Sequence, residues 1–247
     1  MGFTKRGSLI KALQNGLPRG SPLDTKDLLK LGISNAMAHH YVKSGWLSHL
    51  GSGVFMFPND TLVREACLNF LAKRIPALHV GAKTALAWRG VRHNLPARET
   101  LSLWGVGDAR LPKWFVARFP ARYTVRRLFS ARFGESFGIK PLPESPKGPL
   151  VSVPERALLE MLSEVGIQQE IEEARQIMEG VRSLRMDTLK PLLRGCSQRK
   201  ALLLCILWAE QLALPWAKAA RSAVANKLGH ARWITRLKDG RSLILKP

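Results

Sequence analysis

The side chains with the clearest capacity for chemistry in this sequence lie within one short stretch. Asn35, His39, His40 and Lys43 follow one another at spacings of four, one and three residues. In a helix, residues three or four apart are neighbours on the same face. An amide, two imidazoles and an ammonium group can pair with base edges in a DNA major groove and with the phosphates beside it. The pattern therefore predicts a helical face that binds DNA.

Two short helices are needed to hold that face in place. Asp24 or Thr25 can cap a first helix, and Gly32 is expected to end it. Ser34 can then cap a second helix over residues 35–44. The other side of the second helix is apolar and is expected to be buried: Met37, Ala38, Tyr41 and Val42. A helix, a short turn with glycine and a second helix make up the helix-turn-helix layout.

A β-hairpin is predicted immediately after these helices. Residues 46–50 and 54–57 are short, largely apolar runs on either side of Gly51-Ser52-Gly53. Helix, turn, helix and hairpin in this order indicate a winged helix-turn-helix, with His49 and Ser52 as contacts from the wing. Two alternatives remain open: a small subdomain that touches no nucleic acid, and a winged helix that docks on protein.

The charge of the chain favours a polyanionic partner. Lys and Arg number 39 against 18 Asp and Glu among 247 residues, a net charge of +21. The excess lies mainly in residues 61–150 and 181–247, while residues 151–180 are acidic. A solvated basic surface without a partner remains the alternative. The remaining basic residues assigned to DNA binding are Lys5, Arg6, Lys26 and Lys30, and Lys30 and Lys43 are expected to contact phosphate.

The rest of the chain predicts an α+β protein in which a larger mixed α/β domain, residues 61–247, follows the winged helix at residues 1–60. An apolar content of 46% excludes disorder over most of the length. The expected elements are a helix around residues 9–13, helices at 62–71 and 82–90, strands at 100–104 and 123–125, a loop at 111–115, helices from 154 to about 226, and a closing hairpin about 238–240.

No catalytic residue, cofactor or metal site is assigned. The three cysteines form no Cys-x-x-Cys pair, and the most apolar stretch, residues 201–217, is interrupted by polar residues and proline. We therefore expect a cytoplasmic protein that does not enter a membrane.

A nuclease would require Glu155 and Glu160 to converge in the fold. Binding of RNA or single-stranded DNA is a further alternative, with Trp114, beside Lys113, as the best base-stacking candidate.

Four blocks in a fixed order give the chain a resemblance to a known family. They are the wing run 51–58, the block 79–90, the loop Leu111-Pro112-x-Trp114, and finally residues 152–159 with the terminal Asp239-Gly240 hairpin. Together they resemble the AbiEi family, the antitoxins and transcriptional regulators of type IV toxin–antitoxin phage-defence systems. The resemblance spans nearly the whole chain.

The resemblance implies two activities and supplies no catalytic motif. The N-terminal domain would bind inverted repeats in double-stranded DNA of its own promoter and repress the operon. The C-terminal domain would counter a nucleotidyltransferase-like toxin without forming a stable complex with it. The family's DNA-reading helix falls on residues 35–44 and its wing on residues 49–54. The implied location is the bacterial cytoplasm.

Overall fold

The computed structural model of this protein describes residues 17–92, 99–130, 136–228, 233–236 and 242–245. The predicted helix around residues 9–13, the candidate DNA contacts Lys5 and Arg6, and the turn at 238–240 lie outside the described residues.

Helices and strands alternate irregularly along the described chain, which confirms the α+β prediction. The helices are α1 (Thr25–Lys30), α2 (Asn35–Lys43), α3 (Arg64–Ala72), α4 (Ala82–Trp88), α5 (Lys113–Arg118), α6 (Pro154–Glu164), α7 (Ile171–Glu179), α8 (Met186–Gly195), α9 (Arg199–Gln211) and α10 (Ala217–Leu228). The strands are β1 (Leu23–Asp24), β2 (Ser48–Gly51), β3 (Val54–Met56), β4 (His79–Val80), β5 (Leu101–Gly105), β6 (Ala121–Val125), β7 (Ile139–Lys140), β8 (Val151–Ser152), β9 (Trp233–Arg236) and β10 (Ser242–Leu245).

These elements form two compact units. Unit 1 comprises Met1–Arg74 and Arg110–Phe119, and unit 2 comprises Ile75–Ala109 and Pro120–Pro247. Unit 1 therefore continues past residue 60, where the sequence suggested a domain boundary, because α3 and the distant α5 are part of it.

Unit 1 contains the helix-turn-helix and the hairpin in the predicted order. The Asp24 carboxylate accepts a hydrogen bond from the Asp27 backbone N–H at 2.8 Å and so caps α1. The hairpin β2–β3 is antiparallel and has a bulge between His49 and Gly51. β1, which the sequence did not indicate, pairs with β3 and gives a three-stranded sheet in the order β1-β3-β2. A small core joins helices and sheet: Leu23, Leu28, Ile33, Ala38, Tyr41, Leu47, Phe55 and Phe57.

The expectation of a loop at residues 111–115 is wrong. Pro112 adopts an extended backbone and the chain then turns through α5, which ends before Phe119. Phe115 is fully buried, so the helix is stabilised by packing. At six residues it is too short to show the apolar periodicity by which a helix is recognised in a sequence.

Unit 2 is built on a five-stranded sheet in the order β6-β5-β4-β8-β7. The β6–β5 and β4–β8 pairs are parallel, and the β5–β4 and β8–β7 pairs are antiparallel. α6 starts with Pro154 in its first turn, as predicted, and is buried along most of its length. The apolar stretch after residue 200 forms the buried helix α9, and β9 pairs with β10 in an antiparallel arrangement. Among the described residues, no helix is long and apolar enough to cross a bilayer.

Candidate nucleic-acid interface

The second helix of the helix-turn-helix has one buried and one exposed side. Gly32 in the turn has a φ of +77°, a backbone conformation that favours glycine. The Ser34 hydroxyl then accepts a hydrogen bond from the Met37 N–H at 3.3 Å and starts α2. Ala38 and Tyr41 are buried in the core of unit 1. The residues predicted for the polar side are all exposed: Asn35, Ala36, His39, His40 and Lys43.

One buried aromatic ring supports both the helix and the wing. The His39 ring of α2 lies 6.2 Å from the Phe55 ring, edge to face. The His49 ring of β2 lies 5.7 Å from the same Phe55 ring, and these two residues are cross-strand partners. Phe55 itself is fully buried while both histidines are exposed. The structure therefore brings a candidate base-contacting residue and a candidate wing residue together around one fixed ring.

The other candidate contacts in the described part of unit 1 also face solvent. Ser52 is exposed at the tip of the wing, next to Gly53, whose φ is +63°. Lys26 and Lys30 are exposed on α1, and the Lys30 ammonium lies 3.7 Å from an Asp27 carboxylate oxygen. Such an exposed pair is weak. Lys30 therefore keeps most of its capacity to attract phosphate.

Three arginines of unit 1 are instead occupied by carboxylates. The guanidinium groups of Arg19, Arg64 and Arg74 lie 2.7, 3.0 and 3.3 Å from Asp60, Glu65 and Asp24 respectively. Among the described residues, Lys26 and Lys43 form no such ion pair. The net positive charge of this unit is therefore concentrated on side chains other than these three arginines.

The carboxylates that a nuclease would need are held in the interior of unit 2. The Glu160 carboxylate accepts hydrogen bonds from the Arg156 Nε–H at 2.8 Å and the Ser152 hydroxyl at 2.9 Å. The Glu155 carboxylate accepts three from the backbone and guanidinium of Arg185, at 2.8 to 3.1 Å. Both carboxylates are thus engaged in ion pairs. Among the described residues, no cluster of three or more His, Cys, Asp or Glu side chains could hold a metal.

Trp114, which the sequence suggested as the best base-stacking candidate, packs against other aromatic residues of unit 1. Its ring is half-buried and lies 6.2 Å from the Phe70 ring and 6.0 Å from the Phe115 ring. These two edge-to-face contacts hold the indole against other aromatic residues of unit 1. In unit 2, Trp104, Trp208 and Trp216 are buried, as expected of core residues.

Comparison with known proteins assigns the chain to a family. Residues 98–244 match the family model described as "Transcriptional regulator, AbiEi antitoxin, Type IV TA system", and residues 6–97 match the model of its N-terminal domain. The chain belongs to the AbiEi family. This confirms the resemblance seen in the four sequence blocks. By its family, the protein is a transcriptional regulator and antitoxin of the type IV class.

Other comparisons add only the fold of this AbiEi protein. The crystal structure of the RV2827C protein from Mycobacterium tuberculosis superposes with a TM-score of 0.60 and covers 94% of this chain and 88% of its own. The two sequences are 13% identical, so the likeness is one of fold alone. A search of curated proteins found no match.

Proposed function

We propose that this AbiEi-family protein represses its own operon by binding inverted repeats in double-stranded promoter DNA through α2 and the β2–β3 wing. It also acts as the antitoxin against a nucleotidyltransferase-like toxin, without a stable complex between the two. The observation that carries the DNA-binding half is the exposed polar face of α2, whose opposite side is anchored by Ala38 and Tyr41 in the core.

Each exposed side chain on this surface has a role that follows from its chemistry. Asn35, His39 and His40 meet base edges, because amides and imidazoles form directional hydrogen bonds in the major groove. Lys43 and Lys30 bind phosphate, which positions the protein without reading sequence. The remaining contacts come from the start of α1 and from the wing: Lys26, His49 and Ser52.

A gel-shift titration of the chain against its own upstream region, with a salt series and a scrambled duplex, tests the proposal. The wild type should bind the upstream duplex much more tightly than the scrambled one. His40→Ala should reduce that ratio, since a good base contact contributes about 1–3 kcal/mol of discrimination. Lys43→Ala should weaken binding to both duplexes and lower the salt slope by about 0.9. Equal wild-type affinity for both duplexes would refute sequence-specific repression.

The antitoxin half is tested separately in the full-length chain. A His39→Ala, His40→Ala, Lys43→Ala variant should lose operator binding while still rescuing growth of cells that express the toxin, because neutralisation is assigned to the C-terminal part. Loss of rescue together with DNA binding would refute this division. Co-purification of the wild type with the toxin would refute neutralisation without a stable complex.

A further inference from the structure

Helix α5 is attached to the wing of unit 1, although the two are far apart in the chain. The Trp114 Cδ1 atom lies 3.2 Å from the position a Cβ atom would take on Gly51, the last residue of β2. On its other side the Trp114 ring packs against Phe70 of α3, and Phe115 is buried. Gly51 directly precedes the exposed Ser52 at the wing tip. The indole therefore fixes α5 beside the part of the wing that faces solvent.

The start of α5 and the residues just before it carry positive charge that is not paired with a carboxylate of the described residues. Arg110 and Lys113 are both exposed, and neither forms an ion pair within the described residues. This contrasts with Arg64 of the same unit, whose guanidinium contacts Glu65. Arg118 is also exposed, but it lies at the other end of α5, near Cys67 of α3.

We propose that Arg110 and Lys113 form a second phosphate-binding element, which extends the DNA contact of the wing outward from the bases read by α2. The inference rests on the proposed function, because it requires the wing to lie against a duplex. Ring contacts lead from His39 of the recognition helix through Phe55 to His49 of β2, and Gly51 at the end of the same strand lies against Trp114 of α5.

The dimensions of the element suit a duplex backbone. Arg110 and Lys113 are three residues apart, so their Cα atoms lie at most about 11 Å from each other, and B-DNA carries about six phosphate charges over such a length of its axis. A lysine and an arginine next to Trp114 in the chain can each replace a condensed counterion on such a backbone. Because neither side chain is paired with a carboxylate in the described part of the chain, phosphate binding there breaks no ion pair that the structure shows.

The experiment measures duplex binding of the full chain over a salt series from about 50 to 200 mM. The variants are Lys113→Ala, Arg110→Ala and the double variant, with Arg64→Ala as a control that removes the same charge from a paired position. Both the upstream duplex and a scrambled duplex are used. Each single variant should bind both duplexes about five- to tenfold more weakly near 0.1 M salt and lower the slope of log K against log salt by about 0.9. The double variant should lower the slope by about 1.8, and Arg64→Ala should leave it unchanged.

The outcomes separate this inference from the proposed function. Unchanged affinity and slope in Lys113→Ala and Arg110→Ala, with specific binding by the wild type, would overturn the inference alone. A wild type that binds both duplexes equally would overturn sequence-specific repression, while the slopes on either duplex still decide the role of α5. A wild type that binds no duplex would overturn both. If Lys113→Ala and Arg110→Ala lose no more affinity for the duplexes than Arg64→Ala does, the loss reflects the overall charge of the protein, and this would also overturn the inference.

Discussion

Glu160 is fully buried in unit 2, and its substitution tests how the interior of the C-terminal unit is held together. Its carboxylate accepts hydrogen bonds from the Ala82 backbone N–H at 3.0 Å, the Ser152 hydroxyl at 2.9 Å and the Arg156 Nε–H at 2.8 Å, and it lies 3.1 Å from His79 Nε2. Glu160→Gln keeps the size of the side chain but removes the charge. Its amide nitrogen would also face groups that donate hydrogen bonds.

The magnitude follows from the buried charge. Burial by itself would raise the pKa of the Glu160 carboxyl, but the neighbouring His79 and Arg156 more than reverse this and lower it to about 2. The ordinary value is 4.5. Such a difference corresponds to about 3–4 kcal/mol, at about 1.4 kcal/mol per pKa unit. Breaking a buried ion pair by removing one partner costs about 3–5 kcal/mol, which agrees. We therefore expect Glu160→Gln to lower the free energy of unfolding of unit 2 by about 3 kcal/mol.

The pH dependence has a definite sign. A carboxyl with a depressed pKa in the folded state stabilises the fold above its unfolded pKa and loses that contribution as the pH falls through the folded pKa. The difference in unfolding free energy between wild type and Glu160→Gln should therefore shrink as the pH falls from about 4.5 towards 2.

Urea unfolding of the full chain, with hydrogen exchange of the α6 backbone amides as the probe, measures this difference for unit 2. Glu155→Gln is the matched control: its partner Arg185 is largely exposed and remains solvated when the carboxylate is lost, so the destabilisation should be smaller. A loss below about 1 kcal/mol for Glu160→Gln, or a difference that does not change below pH 4.5, would refute the reasoning.

Three further predictions concern local features of the described chain. The Tyr41 hydroxyl is buried without a hydrogen-bond partner among the described residues. Tyr41→Phe should therefore leave the free energy of unfolding unchanged or raise it by up to about 1 kcal/mol, as measured by thermal unfolding. A loss of more than about 1 kcal/mol would show that the hydroxyl has a partner. Ser34→Ala removes a long capping hydrogen bond at the start of α2, so it should lower the free energy of unfolding by about 0.5–1 kcal/mol and weaken operator binding. If neither the free energy of unfolding nor the operator affinity changed, the cap would have no role in stability or binding. Burial raises the pKa of Cys67 to about 12 and of Cys196 to about 11, so both thiols should react with a disulfide reagent only as the protein unfolds; immediate labelling would contradict their burial.

The sequence predicted the candidate interface more completely than the surroundings that support it. Local periodicity was sufficient to place Ala38 and Tyr41 on one side of α2 and His39, His40 and Lys43 on the other, because a helix repeats every 3.6 residues whatever its context. Caps at Asp24 and Ser34 were equally local, since each bonds to a backbone N–H three residues on.

Features that depend on distant partners could not be predicted in the same way. β1 is two residues long and exists because it pairs with β3. α5 was predicted as a loop, and its helix depends on burying Phe115 in unit 1. Glu155 and Glu160 could serve a nuclease only if they converged in the fold, which their spacing could not show, and only the fold shows that arginines engage both.

The sequence by itself therefore determined the amphipathic helix α2, its caps, the wing and the overall excess of positive charge, all of which depend on residue type and spacing within a few turns. Tertiary structure decided which charges remain available. It paired Arg74 with Asp24, 50 residues away in the chain, left Lys113 exposed, and placed Trp114, the residue after Lys113, against Gly51 of the wing. The physical reason is that ion pairing and aromatic packing depend on distances through space, which the order of residues along a chain does not specify.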